Sequence, residues 1–154
     1  MPHHSQVVDP FAFSADWAWG LPLIVLTVVI HVVGLEFVSQ RAFHVAGGLT
    51  ERRHSKAAFA MLMGATTLLV TCLHAIEAAI WAAVFRVLGA LPDFRSSAIY
   101  SLNAMTSYGH TNLFLQDHWQ LMGALEALNG WLLFGLTTAF LFAVIQRVWL
   151  LSSN

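Results

Sequence analysis

The sequence is poor in charged residues and in cysteine. Of its 154 residues, seven are Lys or Arg and eight are Asp or Glu, whereas 58% are apolar. This composition is too apolar for an ordinary soluble domain and indicates a membrane protein. The net charge of −1 provides no general attraction to nucleic acid, so we expect no nucleic-acid partner. A single cysteine, Cys72, excludes a disulfide within the chain.

Sequence motifs of common enzyme classes are also missing. The chain has no glycine loop for nucleotides, no hydrolytic triad and no cysteine motif for a metal. We therefore predict that it is not an enzyme, with no catalytic residue and no resident metal. The first twenty residues lack a basic segment ahead of the apolar run, so a cleaved signal peptide is not expected.

Three apolar runs are long enough to cross a bilayer, which takes about 20 residues for roughly 30 Å of hydrocarbon. They occupy residues 20–40, 57–91 and 119–149, after a polar and aromatic segment at 1–19. We predict three transmembrane helices in an all-α membrane protein.

The basic residues predict the orientation of these spans. The linker at 41–56 holds four of the seven, namely Arg41, Arg52, Arg53 and Lys56. Because Lys and Arg stay mainly on the cytoplasmic side, the linker and the C-terminus are predicted to be cytoplasmic and the N-terminus outside.

A shorter element lies between the second and third spans. Leu91-Pro92-Asp93 interrupts the second span, and Asp93 is a suitable N-cap for a helix that begins at Phe94. Residues 93–105 then predict a helix of about 18 Å, half a membrane. A polar turn at 106–112, TSYGHTN, follows it. Non-helical backbone at this depth requires surrounding protein or water, so we predict a re-entrant helix that places the turn in the throat of an ion pore.

Several motifs in this region match a known family. They are ALPDF at 90–94, AIYSLNAMTSYG at 98–109, and the spacing of Trp119, Gly130, Phe134, Gly135, Thr138 and Ala139. The chain resembles the pore module of the potassium-channel superfamily, and in particular small prokaryotic members of it, with one extra N-terminal helix at 20–40. The resemblance implies a homotetramer in a prokaryotic inner membrane. It assigns 57–149 to the pore module, with an outer helix at 57–91, a pore helix at 93–105, a filter at 106–112 and an inner helix at 119–149.

The predicted filter departs from the family pattern. In the family, four copies of a TVGYG-type segment replace the hydration shell of an ion with backbone carbonyls. The corresponding residues here are Thr106, Ser107, Tyr108, Gly109, His110 and Thr111. With or without a one-residue gap, one glycine is missing, and with the gap Ser107 stands where a glycine belongs. Three outcomes stay open: a wider filter that passes several cations such as K⁺ and Na⁺, a plug that does not conduct, or an altered geometry that still selects K⁺.

Two further features of the pore have alternative interpretations. Four His110 side chains either ring the outer mouth, where they bind a metal or gain charge as the pH falls, or pack behind the turn. On the inner helix, Gly130 and Gly135 allow either bending or close packing. Phe134, Thr138 and either Leu141 or Phe142 follow helical spacing toward the axis. Phe134 and Phe142 either form an apolar constriction there or pack between helices or against lipid.

Polar residues within the spans need partners, because a carboxylate at the bilayer centre costs about 2.5–3.5 kcal/mol. They are His31, Glu36, His74, Glu77, Glu126 and Asn129. We interpret these six residues as an intramembrane polar clamp. His31, His74 and Glu77 are expected to tie the first span to the second, with a metal or haem ligand pair at His31 and His74 as the alternative. Glu126 and Asn129 are expected to form hydrogen bonds to the back of the filter or to the short helix rather than face the ion path.

The function predicted from these features is passive cation permeation through a tetramer of uncertain selectivity. The alternatives are a non-conducting structural or regulatory membrane protein and a membrane metal or haem protein.

Overall fold

The computed structural model describes residues 10–49, 56–109 and 112–152. These residues form four α-helices, α1 (Pro10–Leu49), α2 (Lys56–Val87), α3 (Phe94–Met105) and α4 (Gln120–Ser152), with a 3-10 turn at Asp117–Trp119. Three of the helices contain stretches of 28 to 30 residues that are long and apolar enough to span a membrane, namely Phe13–Ala42, Phe59–Val87 and Gln120–Arg147. The described chain is all-helical, and the three apolar helices indicate a membrane protein.

Helix α1 is longer than the span predicted at 20–40. It begins at Pro10 and ends at Leu49, so it includes the second half of the segment 1–19 and much of the linker 41–56. Proline suits a first helical position because its φ angle is fixed and its missing N–H needs no partner there. Hydropathy marks the membrane-crossing part of a helix but not its polar ends, which explains the difference.

Helix α2 ends at Val87, before the boundary predicted at 91. The Ala90 N–H donates to the Phe85 carbonyl (2.9 Å) and the Gly89 N–H donates to the Arg86 carbonyl (3.2 Å). Gly89 has a φ of +69°, a conformation that glycine adopts without the cost a Cβ imposes. This pair of bonds is a Schellman motif, which satisfies the last carbonyls and stops the helix.

Helix α3 has the predicted N-cap. The Asp93 carboxylate accepts hydrogen bonds from the Ser96 backbone N–H (2.9 Å) and from the Ser96 hydroxyl (2.8 Å). Asp93 itself has extended backbone angles, with φ −147° and ψ 161°. The cap satisfies one of the N–H groups that the first turn of a helix leaves without an internal partner.

The Asp93 cap makes the stability of α3 depend on pH. Its hydrogen bonds from the Ser96 backbone and side chain hold the pKa of Asp93 below its ordinary value of 3.8. The stabilisation is therefore complete above pH 3.8 and is lost as the pH falls through the lowered pKa. We expect the melting temperature of the parent to drop more steeply below pH 4 than that of Asp93→Asn, which keeps a capping side chain that does not titrate. Parallel melting curves in acid would contradict this.

The described chain divides into two compact units. The first comprises the residues up to Leu26 and Ala78–Gly130. Its core includes Trp81, Phe85 and Met122, all with no exposed surface, together with Tyr100. The Phe85 and Tyr100 rings pack edge to face with centroids 5.5 Å apart. This core fixes α3 against the end of α2 and the start of α4.

The second unit comprises Thr27–Glu77 and the chain from Trp131 onward. Ala42 and Leu62 form one apolar cluster in it, and Val70, Leu133 and Val144 are also buried. Gly34 on α1 lies beside the Leu73 side chain of α2, which brings the two helices close together. Polar residues are unusually well buried here: Thr27, His31, Thr66 and Glu77 are exposed by 2% or less.

Candidate functional site

The turn after α3 begins with a second Schellman motif. The Tyr108 N–H donates to the Asn103 carbonyl and the Ser107 N–H donates to the Ala104 carbonyl, both at 3.0 Å. Ser107 takes the left-handed position of this motif, with a φ of +54°, and Gly109 has a φ of +89°. The position at which the gapped alignment with the channel family expects a glycine thus has a backbone that favours glycine.

The residues of the turn are exposed. Thr106, Ser107, Tyr108 and Gly109 all lie on the surface of the chain, and the Tyr108 side chain is 83% exposed. His110 and Thr111 lie outside the described residues, so both interpretations of His110 stay predictions. The described part of the predicted filter is therefore a surface turn that the other described residues do not cover.

Gly130 of α4 lies directly against the end of α3. A Cβ at this position would meet the carbonyl oxygen of Met105 and would lie 2.7 Å from its Cα and 2.8 Å from its carbonyl carbon. These are backbone atoms, which cannot rotate aside as a side chain can. Gly130 therefore serves close packing, one of the two roles considered for it, and supports the base of the turn.

The other predicted inner-helix residues lie on an open face of α4. Phe134 and Phe142 are 65% and 60% exposed, and Gly135 and Thr138 are exposed with them. A Cβ on Gly135 would have no heavy atom within 4 Å. The Thr138 hydroxyl donates to the Phe134 carbonyl of the same helix (2.9 Å). Within the described chain this face has no packing partner, so a constriction there would need other subunits.

Buried polar groups connect α3 to the neighbouring helices α2 and α4. Ser101 and Glu126 have no exposed surface. The Ser101 hydroxyl donates to the Ala78 carbonyl (2.8 Å) and is also in hydrogen-bond contact with the Glu126 carboxyl. Asn129, one turn along α4 from Glu126, is equally buried. Glu126 therefore lies behind the short helix, on the side expected from the sequence, and Ser101 is the partner that the sequence did not reveal.

A second polar cluster lies in the other unit and joins α1, α2 and α4. Glu77 Oε1 lies 2.9 Å from His31 Nδ1, and Glu77 Oε2 lies 3.3 Å from His74 Nδ1. The remaining nitrogens of the two rings meet one hydroxyl: Thr137 Oγ1 is 3.0 Å from His31 Nε2 and 3.1 Å from His74 Nε2. His31 and Glu77 are fully buried, whereas the His74 side chain is 29% exposed. We call these four residues the His–Glu–Thr cluster.

The rings of this cluster stack side by side. Their centroids are 5.0 Å apart and their planes differ by 36°. Two axial haem ligands instead point their nitrogens at each other from opposite sides of the iron, so this arrangement does not fit the haem alternative. One donor atom from each of His31, His74 and Glu77 can be chosen so that all three lie within 4.8 Å of one another. A small ion is the ligand for which the spacing is suited.

Glu36 does not belong to either cluster. It is exposed, and its Oε1 accepts a hydrogen bond from the Gln40 side chain at 2.9 Å. The predicted polar group thus separates into three parts, with Glu126 and Asn129 behind α3, the His–Glu–Thr cluster in the second unit, and Glu36 on the surface of α1.

No protein-family model, curated protein or solved structure matches this chain. The likeness to the potassium-channel superfamily stays a prediction made from sequence motifs.

Thr137 was missed by the sequence analysis, which selected its neighbour Thr138. It lies on a buried face of α4 together with Gly130, Leu133 and Val144, at the spacing of one helix face. The sequence of this apolar helix does not distinguish that face from the others, so the coordinates were needed to find Thr137. A polar residue on the buried face of a membrane helix is a candidate partner for other buried polar groups.

Proposed function

We propose that this chain is one subunit of a homotetrameric cation channel, with α3 as a re-entrant pore helix and the turn from Thr106 onward as an altered filter. The observation that carries the proposal is the exposed, non-helical turn at the end of a capped 12-residue helix in a chain with three membrane-length apolar helices. The proposal includes passive permeation of monovalent cations and places the protein in a cell membrane, with the N-terminus outside and the C-terminus in the cytoplasm.

The length of α3 supports a re-entrant position. Twelve residues give a helix of about 18 Å, whereas the hydrocarbon core is roughly 30 Å thick. In the proposed re-entrant position, a helix of this length ends inside the membrane region, where lipid cannot satisfy the polar backbone of Thr106–Gly109. Further copies of the chain around a watery axis would satisfy it, and the sequence motifs imply four copies.

The electrostatics of α3 favour a cation at its C-terminal end. Aligned peptide dipoles give the end of a helix a partial negative charge, and four such ends would face the same axis. The buried Ser101–Glu126 contact and the backbone contact at Gly130 hold this end in place. The exposed face of α4 with Phe134 and Phe142 is then available to line the ion path.

Cation flux into liposomes tests the proposal. We expect purified protein to assemble as four chains of 17.0 kDa and to pass K⁺ and Na⁺ but not a large organic cation. Gly109→Ala should change the flux or its selectivity, because a Cβ at a φ of +89° is strained by about 1–2 kcal/mol. Gly64→Ala is the matched control, since Gly64 has an ordinary φ and no atom within 4 Å of the added methyl group.

Other results of this assay would favour an alternative function or contradict the channel. A tetramer without flux would favour the non-conducting structural or regulatory membrane protein. A monomer or dimer would contradict the shared axis, and with it the channel. Equal flux in the parent and in Gly109→Ala would place the ion path away from the turn.

A further inference from the structure

We propose that the His–Glu–Thr cluster is a binding site for a divalent transition-metal ion of the zinc class, with His31, His74 and Glu77 as ligands and Thr137 as a positioning residue. The cluster shares no residue with the turn after α3, so this proposal can be tested independently of the proposed channel.

The spacing of the candidate ligands suits a tetrahedral ion. Zinc binds imidazole nitrogen and carboxylate oxygen at about 2.0–2.2 Å, which puts neighbouring ligand atoms about 3.3 Å apart. The two separations between Nδ1 atoms and Glu77 oxygens are 2.9 Å for His31 and 3.3 Å for His74. Both imidazoles present the same nitrogen, Nδ1, to the same carboxylate, so an ion can reach all three ligands after small side-chain movements.

The second nitrogens of the rings are already arranged as in metal sites. A histidine that binds a metal usually donates its other N–H to an outer partner, which fixes the tautomer. Here one hydroxyl oxygen, Thr137 Oγ1, lies within hydrogen-bond distance of both Nε2 atoms. If both Nε2–H groups donate to it, both Nδ1 atoms carry lone pairs directed at Glu77.

The hydrogen count leaves one contact of the cluster without a hydrogen. Two neutral rings and the Thr137 hydroxyl carry three hydrogens, which serve the three hydrogen bonds His31–Glu77, His31–Thr137 and His74–Thr137. The fourth contact, between His74 Nδ1 and Glu77 Oε2 at 3.3 Å, then has no hydrogen. It places a nitrogen lone pair beside a carboxylate oxygen, and a metal ion can bind both atoms.

Glu77 Oε2 is the carboxylate atom that remains available to a metal. This buried atom accepts no hydrogen bond among the described residues, although His74 Nδ1 lies 3.3 Å away. That separation is close to the distance between two ligand atoms on one tetrahedral ion. The exposed edge of His74 provides a route by which an ion can reach the His–Glu–Thr cluster.

The donor set selects the class of metal. Imidazole with carboxylate suits zinc and its neighbours in the first transition row, whereas Ca²⁺ and Mg²⁺ prefer all-oxygen sites. Three protein ligands also leave a fourth position open on a tetrahedral ion. A metal held here would connect α1, α2 and α4 of the second unit.

The test measures metal bound to the full-length protein in detergent after dialysis against Zn²⁺ or Co²⁺. We expect one equivalent per chain, with the visible absorption of tetrahedral Co²⁺, and a rise in melting temperature as Zn²⁺ is added. Glu77→Gln should lose this equivalent and the thermal shift. Glu36→Gln is the matched control because it makes the same change at an exposed carboxylate and should keep both. Thr137→Val retains all three ligands and should bind roughly 10–100-fold more weakly.

Two results would overturn the site. One is parent protein that holds no saturable metal. The other is Glu77→Gln protein that binds as much as the parent, which would assign the metal to other histidines or to Cys72. Helix content measured by circular dichroism checks that each variant is folded, and His118→Gln, which removes an imidazole outside the cluster, should leave binding unchanged.

Discussion

Gly130→Ala is expected to lower the free energy of unfolding by about 1–3 kcal/mol, as other overpacking substitutions do, and to reduce cation flux. The added methyl group would lie 2.7–2.8 Å from the Cα and carbonyl carbon of Met105, so α3 or α4 must move. Met105 is the last residue of α3, and a displacement there moves the turn that we propose as the filter. Thermal unfolding in detergent and liposome flux measure the two effects.

Gly135→Ala supplies the control for this substitution on the same helix. No atom lies within 4 Å of its added methyl group, and alanine raises helix propensity by up to about 1 kcal/mol. Stability should therefore stay the same or rise. A loss of flux in Gly135→Ala alone, with unchanged stability, would identify Gly135 as a hinge. Equal stability of Gly130→Ala and the parent would contradict the close approach to Met105.

The position of α3 could be predicted from the sequence because local signals mark its ends. Pro92 prevents a helix from continuing through Leu91, and Asp93 supplies the cap that begins the next one. The structure confirms both the N-cap and the end at Met105. The positive φ of Ser107 could not be predicted from composition, since serine does not favour that conformation. The one indication in the sequence was that Ser107 stands where the family motif has a glycine.

The partners of the buried polar residues were harder to predict, because hydropathy gives depth along a helix but not direction around it. At 3.6 residues per turn, Glu36 points roughly 140° away from His31; it lies on the surface while His31 is buried. Thr137 and Thr138 likewise point about 100° apart, and only Thr137 meets the histidines. The depth of His31, His74 and Glu77 could be inferred from the sequence, whereas their common contact with α4 required coordinates.

Ser101→Ala is expected to cost about 1–3 kcal/mol of stability, the range for leaving a buried polar group without its partner. The Ser101 hydroxyl links the Ala78 carbonyl of α2 to Glu126 of α4, and the Glu126 carboxyl has no exposed surface. Without the hydroxyl, Glu126 loses this partner and α3 loses one polar connection to both neighbouring helices. Since α3 carries the turn, flux should fall together with the melting temperature.

Ser97→Ala is a matched control one turn earlier on α3. Ser97 is equally buried, but its hydroxyl donates to the Asp93 carbonyl (2.9 Å), which also accepts the Ser97 N–H (3.0 Å). Its loss leaves that carbonyl satisfied, so the cost should be smaller than for Ser101→Ala. The double variant Ser101→Ala with Glu126→Leu should recover part of the stability, because it removes both polar groups together. If Ser101→Ala costs no more than Ser97→Ala, the contact with Glu126 does not hold the short helix in place, and another interaction must do so.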